Sequence, residues 1–220
     1  MKKMFAATLS ALAISWLSAS TALANPVVLN PDFASPSYAV GSQGWAYLGP
    51  AAPATATVND WTYSGEVGNA LDNGVWFAAT PPVGQQAAFF QRGTISQTIS
   101  GFTPGNLYNI TFYLAQRPGG YPANPIDVTA GSTDIGTYTP TSTTIFQQFT
   151  TTNFLATASS VVLTFSANPP SCATYSVSCD YGSAMNDVSV QAPEPNAVAI
   201  LAMSGLLVAG LRRRRRGHSL

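Results

Sequence analysis

The sequence predicts an all-β domain, a β-sandwich of jelly-roll type. Three observations predict it. Short stretches alternate apolar and polar residues with period two. Clusters of Gly, Pro and Asn separate them, and no long segment of 3.6-residue periodicity occurs between Asn25 and Gln191. Many short strands joined by such turns bury their apolar faces most simply as two packed sheets. An immunoglobulin-like sandwich is the alternative arrangement of the same elements.

The chain has 220 residues, and its first part reads as a leader rather than as fold. Met1, Lys2 and Lys3 are a positive start, Met4 to about Trp16 is apolar, and Ala22-Leu23-Ala24 is a small-residue cleavage pattern. These parts in this order predict a secretory signal peptide over 1–24, cut between Ala24 and Asn25, and so export through the Sec route.

Residues 25–191 are expected to form the sandwich. Tyr108, Ile110, Phe112 and Leu114 fall on one side of a strand, and Val161, Leu163 and Phe165 on one side of another. Further strands are expected over 86–91, 94–99, 125–130, 145–150 and 185–191. Gly101-Phe-Thr-Pro104-Gly105-Asn106 reads as the turn between two of them. Asn109-Ile-Thr111 matches a glycosylation acceptor, but it sits mid-strand and reads as ordinary β sequence. Cys172 and Cys179 in an exported domain are expected to form a disulfide closing a short loop.

Charge narrows the function. Only 8% of residues are charged, and the basic ones gather at the ends. Between the ends, Arg92 and Arg117 face Asp32, Asp60, Glu66, Asp72, Asp127, Asp134, Asp180 and Asp187, a net of −6 (two minus eight). An acidic domain without lysine repels phosphate backbones, so no nucleic-acid partner is expected. The single histidine, His218, lies in the terminal tail. The domain therefore lacks the base of a Ser-His or Cys-His nucleophile and the imidazoles of a zinc site. Scattered carboxylates leave a glycoside hydrolase as the remaining catalytic reading, against which a non-enzymatic binding module is preferred.

Aromatic residues suggest what could be bound. Trp45, Tyr47, Trp61, Tyr63, Trp76 and Phe77 precede the first clear strand pair, and Tyr121 follows Arg117 in a Gly/Pro-rich loop. Sugar rings stack their apolar faces on exposed aromatic rings, while polar side chains bond the hydroxyls. Trp45, Trp61, Trp76, Tyr121 and Arg117 are thus the candidate glycan-binding residues, with core packing as the competing role of each tryptophan.

The end of the chain carries a recognisable signal. Pro193-Glu194-Pro195 precedes an apolar run from Ala197 to Leu211, closed by Arg212, Arg213, Arg214, Arg215 and Arg216. About 15 apolar residues are short for a span needing about 20, and flanking arginines can snorkel to cover the deficit. Five successive arginines fix the C-terminus in the cytoplasm. This segment, over 192–216, resembles the PEP-CTERM sorting signal of Gram-negative bacteria. The resemblance implies a transmembrane helix, an inner-membrane intermediate, an exosortase that processes the tail, and delivery to the cell surface, outer envelope or extracellular matrix.

A second resemblance covers the domain. Asn30-Pro-Asp-Phe33, Ile95-Ser-Gln97-Thr-Ile99, Pro104-Gly105 through Phe112, Gln116-Arg117 and Met185-Asn-Asp187-Val188 are similar to segments of galactose-binding-like modules. That likeness implies glycan binding, exopolysaccharide being the expected partner. It also raises a structural calcium at Asp32 and Asp187, near the first and last strands, although no cofactor is required by the sequence.

Overall fold

The computed structural model describes residues 26–37, 44–50, 56–72, 74–169 and 180–192. The signal peptide with Ala24 and Asn25, the cysteines Cys172 and Cys179, and the sorting segment with Pro193, Glu194, Pro195 and Arg212 to Arg216 lie outside them. Among the described residues there is no helix, hence none long and apolar enough to cross a membrane.

The strands are β1 (Trp45–Tyr47), β2 (Ala56–Val58), β3 (Trp61–Leu71), β4 (Gln86–Ser100), β5 (Leu107–Gln116), β6 (Ile126–Ala130), β7 (Thr133–Tyr138), β8 (Gln147–Thr150), β9 (Phe154–Leu155), β10 (Ser160–Ala167) and β11 (Ser183–Gln191). All pairings are antiparallel. The long β3–β4 hairpin belongs to both layers. Its first layer continues from β4 through β11 and β5 to β8 and β9, with β1 on the outside of β3. The second continues from the far half of β4 through β10 and β6 to β7, with β2 on β3.

The hairpin folds over at Gly65 and Gly93, which face each other across the pair. Gly65 has φ +81° and Gly93 φ +150°, and a Cβ at Gly93 would stand 2.1 Å from the Ser64 carbonyl oxygen. Only glycine fits such a crossing. The register slips next to it: Glu66 pairs with Arg92 and Val67 with Phe90, leaving Gln91 as the extra residue. The expected strands over 86–91 and 94–99 are therefore one strand, bent at this point.

The two layers pack through rings. Phe112 of β5 meets Phe165 of β10 at 5.2 Å, and Trp61 meets Phe33 at 5.0 Å. Tyr108, Ile110, Phe112 and Leu114 are all buried, as their alternation predicts. The sequence did not reveal β3. Its alternation stops after Tyr63, because Val67, Gly68, Asn69 and Ala70 are buried on both faces. A strand covered on both sides loses the period-two signal. Edge strand β7 was missed too, with Ile135 its one buried residue.

Residues 26–36 form no ladder, yet they close the sandwich. Side-chain amides hold their backbone. Gln97 accepts from the Leu29 N–H and donates to the Leu29 carbonyl, both at 2.9 Å, and Gln86 donates to the Phe33 and Pro36 carbonyls at 2.8 and 2.9 Å. Asn186 donates to the Asp32 carbonyl at 2.9 Å, and the Val188 N–H to that of Pro31 at 3.1 Å. These bonds, most of them from side chains, satisfy backbone groups of a segment that pairs with no strand as a ladder.

Candidate functional site

On the outer face of the first layer, small residues make a seat. Ala70, Ala87 and Ala184 surround Phe89, and the segment between β3 and β4 lays Trp76 and Phe77 upon them. Trp76 lies flat on Phe89, with ring centroids 3.9 Å apart and planes 11° from parallel. Above Trp76 stands the Arg117 guanidinium, 4.2 Å from the ring centroid. Tyr121 caps it from the other side at 3.9 Å. Phe89, Trp76, Arg117 and Tyr121 thus form one column rising from the sheet.

Hydrogen bonds fix the guanidinium edge-on. Its Nη1 pairs with Asp180 at 3.0 Å, both side chains being 12% exposed. Nε donates to the Val75 carbonyl at 3.3 Å. Gln91, the residue thrown out by the β4 bulge, donates to the other oxygen of Asp180 and accepts from the Tyr47 hydroxyl at 2.5 Å. A chain Tyr47–Gln91–Asp180–Arg117 therefore ties β1 to the loop after β5. Gly119 and Gly120 take φ +89° and +82°, which turns that loop back so that Tyr121 covers Arg117. Gln116 secures it by donating to the Tyr121 carbonyl at 2.8 Å.

Trp45 and Tyr47 border the column edge-on. Trp45 stands 5.5 Å from Tyr47 and 5.7 Å from Trp76, both T-shaped. Tyr47 is 44% exposed and Trp45 and Tyr121 are half-buried, so their rings are the solvent-facing part of the cluster. Two buried polar atoms, Trp76 Nε1 and Asn124 Oδ1, have no hydrogen-bond partner among the described residues.

The structure brings Trp45, Trp76, Arg117 and Tyr121 together and separates Trp61 from them. Trp61 is fully buried in the inner core, and its Nε1 donates to the Asn30 carbonyl at 2.9 Å. It is therefore corrected to a core residue, since neither ring face can meet a ligand. Trp76 changes role as well, because Phe89 and Arg117 cover its two faces and leave it as the seat of the guanidinium. Tyr47, Gln91 and Asp180 were not among the sequence candidates. Gln91 had a signal, a polar residue beside the Gly93 break, whereas Asp180 is remote in sequence from everything it touches.

Asp32 and Asp187 lie at the junction of the opening segment with β11, as their chain positions suggested. Asp32 Oδ1 accepts from the Ala34 N–H at 3.4 Å, a turn contact, and Asp187 takes φ +51° where the β11–β5 register slips. Among the described residues no three His, Cys, Asp or Glu side chains group as a metal site. A calcium there would have Asp32, Asp187 and main-chain oxygens as ligands, and the Asp32 carbonyl already accepts from Asn186.

The described residues form an all-β sandwich that carries an aromatic–arginine column on one outer face. This chain belongs to the family described as protein of unknown function (DUF642), which matches residues 27–191. No curated protein matches it. Among solved structures, the Stig cyclase Fisc from Fischerella sp. TAU, in complex with (3Z)-3-(1-methyl-2-pyrrolidinylidene)-3H-indole, is similar at TM-score 0.54 and 14% identity, over 77% of this chain and 97% of that one. A cyclase from the same source with 4-(1H-indol-3-yl)butan-2-one gives 0.53 and 15%, over 77% and 98%. TmCBM61 in complex with β-1,4-galactotriose gives 0.49 and 13%, over 77% and 99%. At these identities the likeness to the two cyclases is one of fold.

Proposed function

We propose that this protein is a non-enzymatic glycan-binding module of the bacterial envelope or extracellular matrix, exported by its leader and sorted by its PEP-CTERM tail. The observation that carries the binding reading is the column at Arg117. It presents the half-buried rings of Tyr121, Trp45 and Tyr47 beside Gln91, Asp180 and Arg117, which combine apolar ring faces with hydrogen-bonding groups in one fixed constellation. Sites for small polar ligands pair these two elements. Because Asp180 neutralises Arg117 and the domain is acidic, the ligand is expected to be a neutral polysaccharide, with exopolysaccharide of the producing cell the natural partner.

Arg117 and Asp180 are already committed to each other, which argues against a free acid–base pair in the site. A structural or adhesive surface protein without a glycan site is the second reading, supported by the hydroxyl-rich outer face of the second layer. There Thr57 bonds Thr62 and Ser100 bonds Ser160, each at 2.9 Å. A glycoside hydrolase is the third.

Two measurements test the proposal. Intact mass and fractionation of native protein, with and without exosortase activity, should show loss of residues before Asn25 and of the segment after about Pro193. Retention of the whole tail in the inner membrane would overturn the sorting reading. A glycan array probed with the protein should give binding that Tyr121→Ala weakens about tenfold or more. Turnover of a polysaccharide, lost on substituting a carboxylate, would instead make it a hydrolase.

A further inference from the structure

We propose that, before its tail is removed, the end of the sandwich opposite the aromatic–arginine column rests on the lipid bilayer, so that the column sits at the end far from the membrane. This inference rests on the reading of the tail as a membrane segment. Its basis is where the chain enters and leaves the fold. Pro26 lies against Gly101, its Cα 3.6 Å from where a Cβ of that glycine would be. Gln191, at the end of β11, pairs with Asn109 at the start of β5. Both ends of the domain therefore emerge beside the 101–106 turn. The column sits at the other end of β5, where Gln116 pairs with Ser183 and the Arg117 N–H donates to the Gly182 carbonyl. A strand of 10 residues holds the two ends about 30 Å apart.

The membrane-facing end has a distinct surface. Segments 26–30, 101–107 and 153–160 contain no charged residue, although the exposed Asp60, in the turn before β3, stands beside Leu29 with Gln97 bonded to both. Leu107 and Leu155, partners in the β5–β9 register, are 45% and 53% exposed, and Val27 is 68% exposed. Uncharged segments tipped with aliphatic side chains suit the boundary between headgroups and acyl chains.

Chain length brings this end to the bilayer. Pro193 to Asn196 separate Ala192 from the apolar run, a reach of at most about 17 Å. As a helix, Ala197 to Leu211 would cover about 22 Å of a hydrocarbon core about 30 Å thick. A span that short, reached by so short a tether, would leave the end of the sandwich at the headgroups.

The test uses the full chain from Asn25, reconstituted in phosphatidylethanolamine/phosphatidylglycerol vesicles with brominated acyl chains. A coumarin amino acid replaces Leu107, Leu155 or Tyr121 in turn. Quenching several-fold stronger at 107 and 155 than at 121 is expected. Chains that float with the vesicles but show no quenching at 107 and 155, or equal quenching at 121, would overturn this inference and leave the tail reading intact. Failure to float would overturn both. Shielding of 107 and 155 that depends on protein-to-lipid ratio would assign the surface to a second copy of the chain and overturn the bilayer contact.

Discussion

The molecule contains two aromatic clusters built from the same residue types and put to different uses. The inner one, with Phe33, Trp61, Tyr108, Phe112 and Phe165, packs ring against ring between the two layers. The polar atoms of its tryptophan and of Tyr108 are spent on the local backbone: Trp61 bonds the Asn30 carbonyl, and the Tyr108 hydroxyl accepts from the Thr103 N–H. The outer one stacks Phe89, Trp76, Arg117 and Tyr121 on an alanine floor, and ties the guanidinium to Asp180, Gln91 and Tyr47. Burial alone does not separate them, since Trp61 and Trp76 are both buried. The difference lies in charge and hydrogen bonding: one cluster fills space, and the other positions polar groups at the surface.

The comparison is broken most severely at Trp61. Trp61→Ala leaves a cavity between the layers and is expected to cost about 4 kcal/mol of stability. Any protein that still folds should bind glycan as before. A selective loss of binding in a folded Trp61 variant would contradict the division. Arg117→Ala comes next, because it strands Asp180 and removes the middle of the column. The expected cost is about 3 kcal/mol, or a melting temperature lower by about 6–12 °C, together with loss of binding. Arg117→Lys keeps the charge without the planar group and should recover stability only in part, which thermal melting would read.

Tyr121→Ala sharpens the comparison from the other side. Losing one cation–π partner at the surface should cost at most about 1 kcal/mol of stability, while weakening glycan affinity about tenfold or more. Calcium is expected to have the smallest effect. Asn186 and the Val188 N–H already bind the opening segment, so melting in EDTA and in millimolar calcium should agree. A rise of several degrees with calcium would show instead that Asp32 and Asp187 hold the ion.

Much of this was legible in the sequence, and the rest was hidden for physical reasons. One-sided strands such as β5 and β10 announced themselves, because water on one face and core on the other write a period of two. Strand β3 did not, being buried on both faces over 67–70. Trp45, Trp76, Arg117 and Tyr121 stood out as residues of the right chemistry, but nothing local distinguished them from Trp61. What separates them is the hairpin bend at Gly65 and Gly93, which turns β4 so that Gln91 points outward to meet Asp180. That contact joins residues 89 positions apart, beyond the reach of any pattern along the chain.

The central claim is that the outer cluster is a glycan site and the inner one is not. Titration calorimetry of the protein against the polysaccharide of its producing cell, comparing Tyr121→Ala with Trp61→Phe at a temperature where both are folded, tests it most directly. The account predicts binding that Tyr121→Ala weakens about tenfold or more and Trp61→Phe leaves unchanged. Equal affinity in the wild type and in Tyr121→Ala would contradict it.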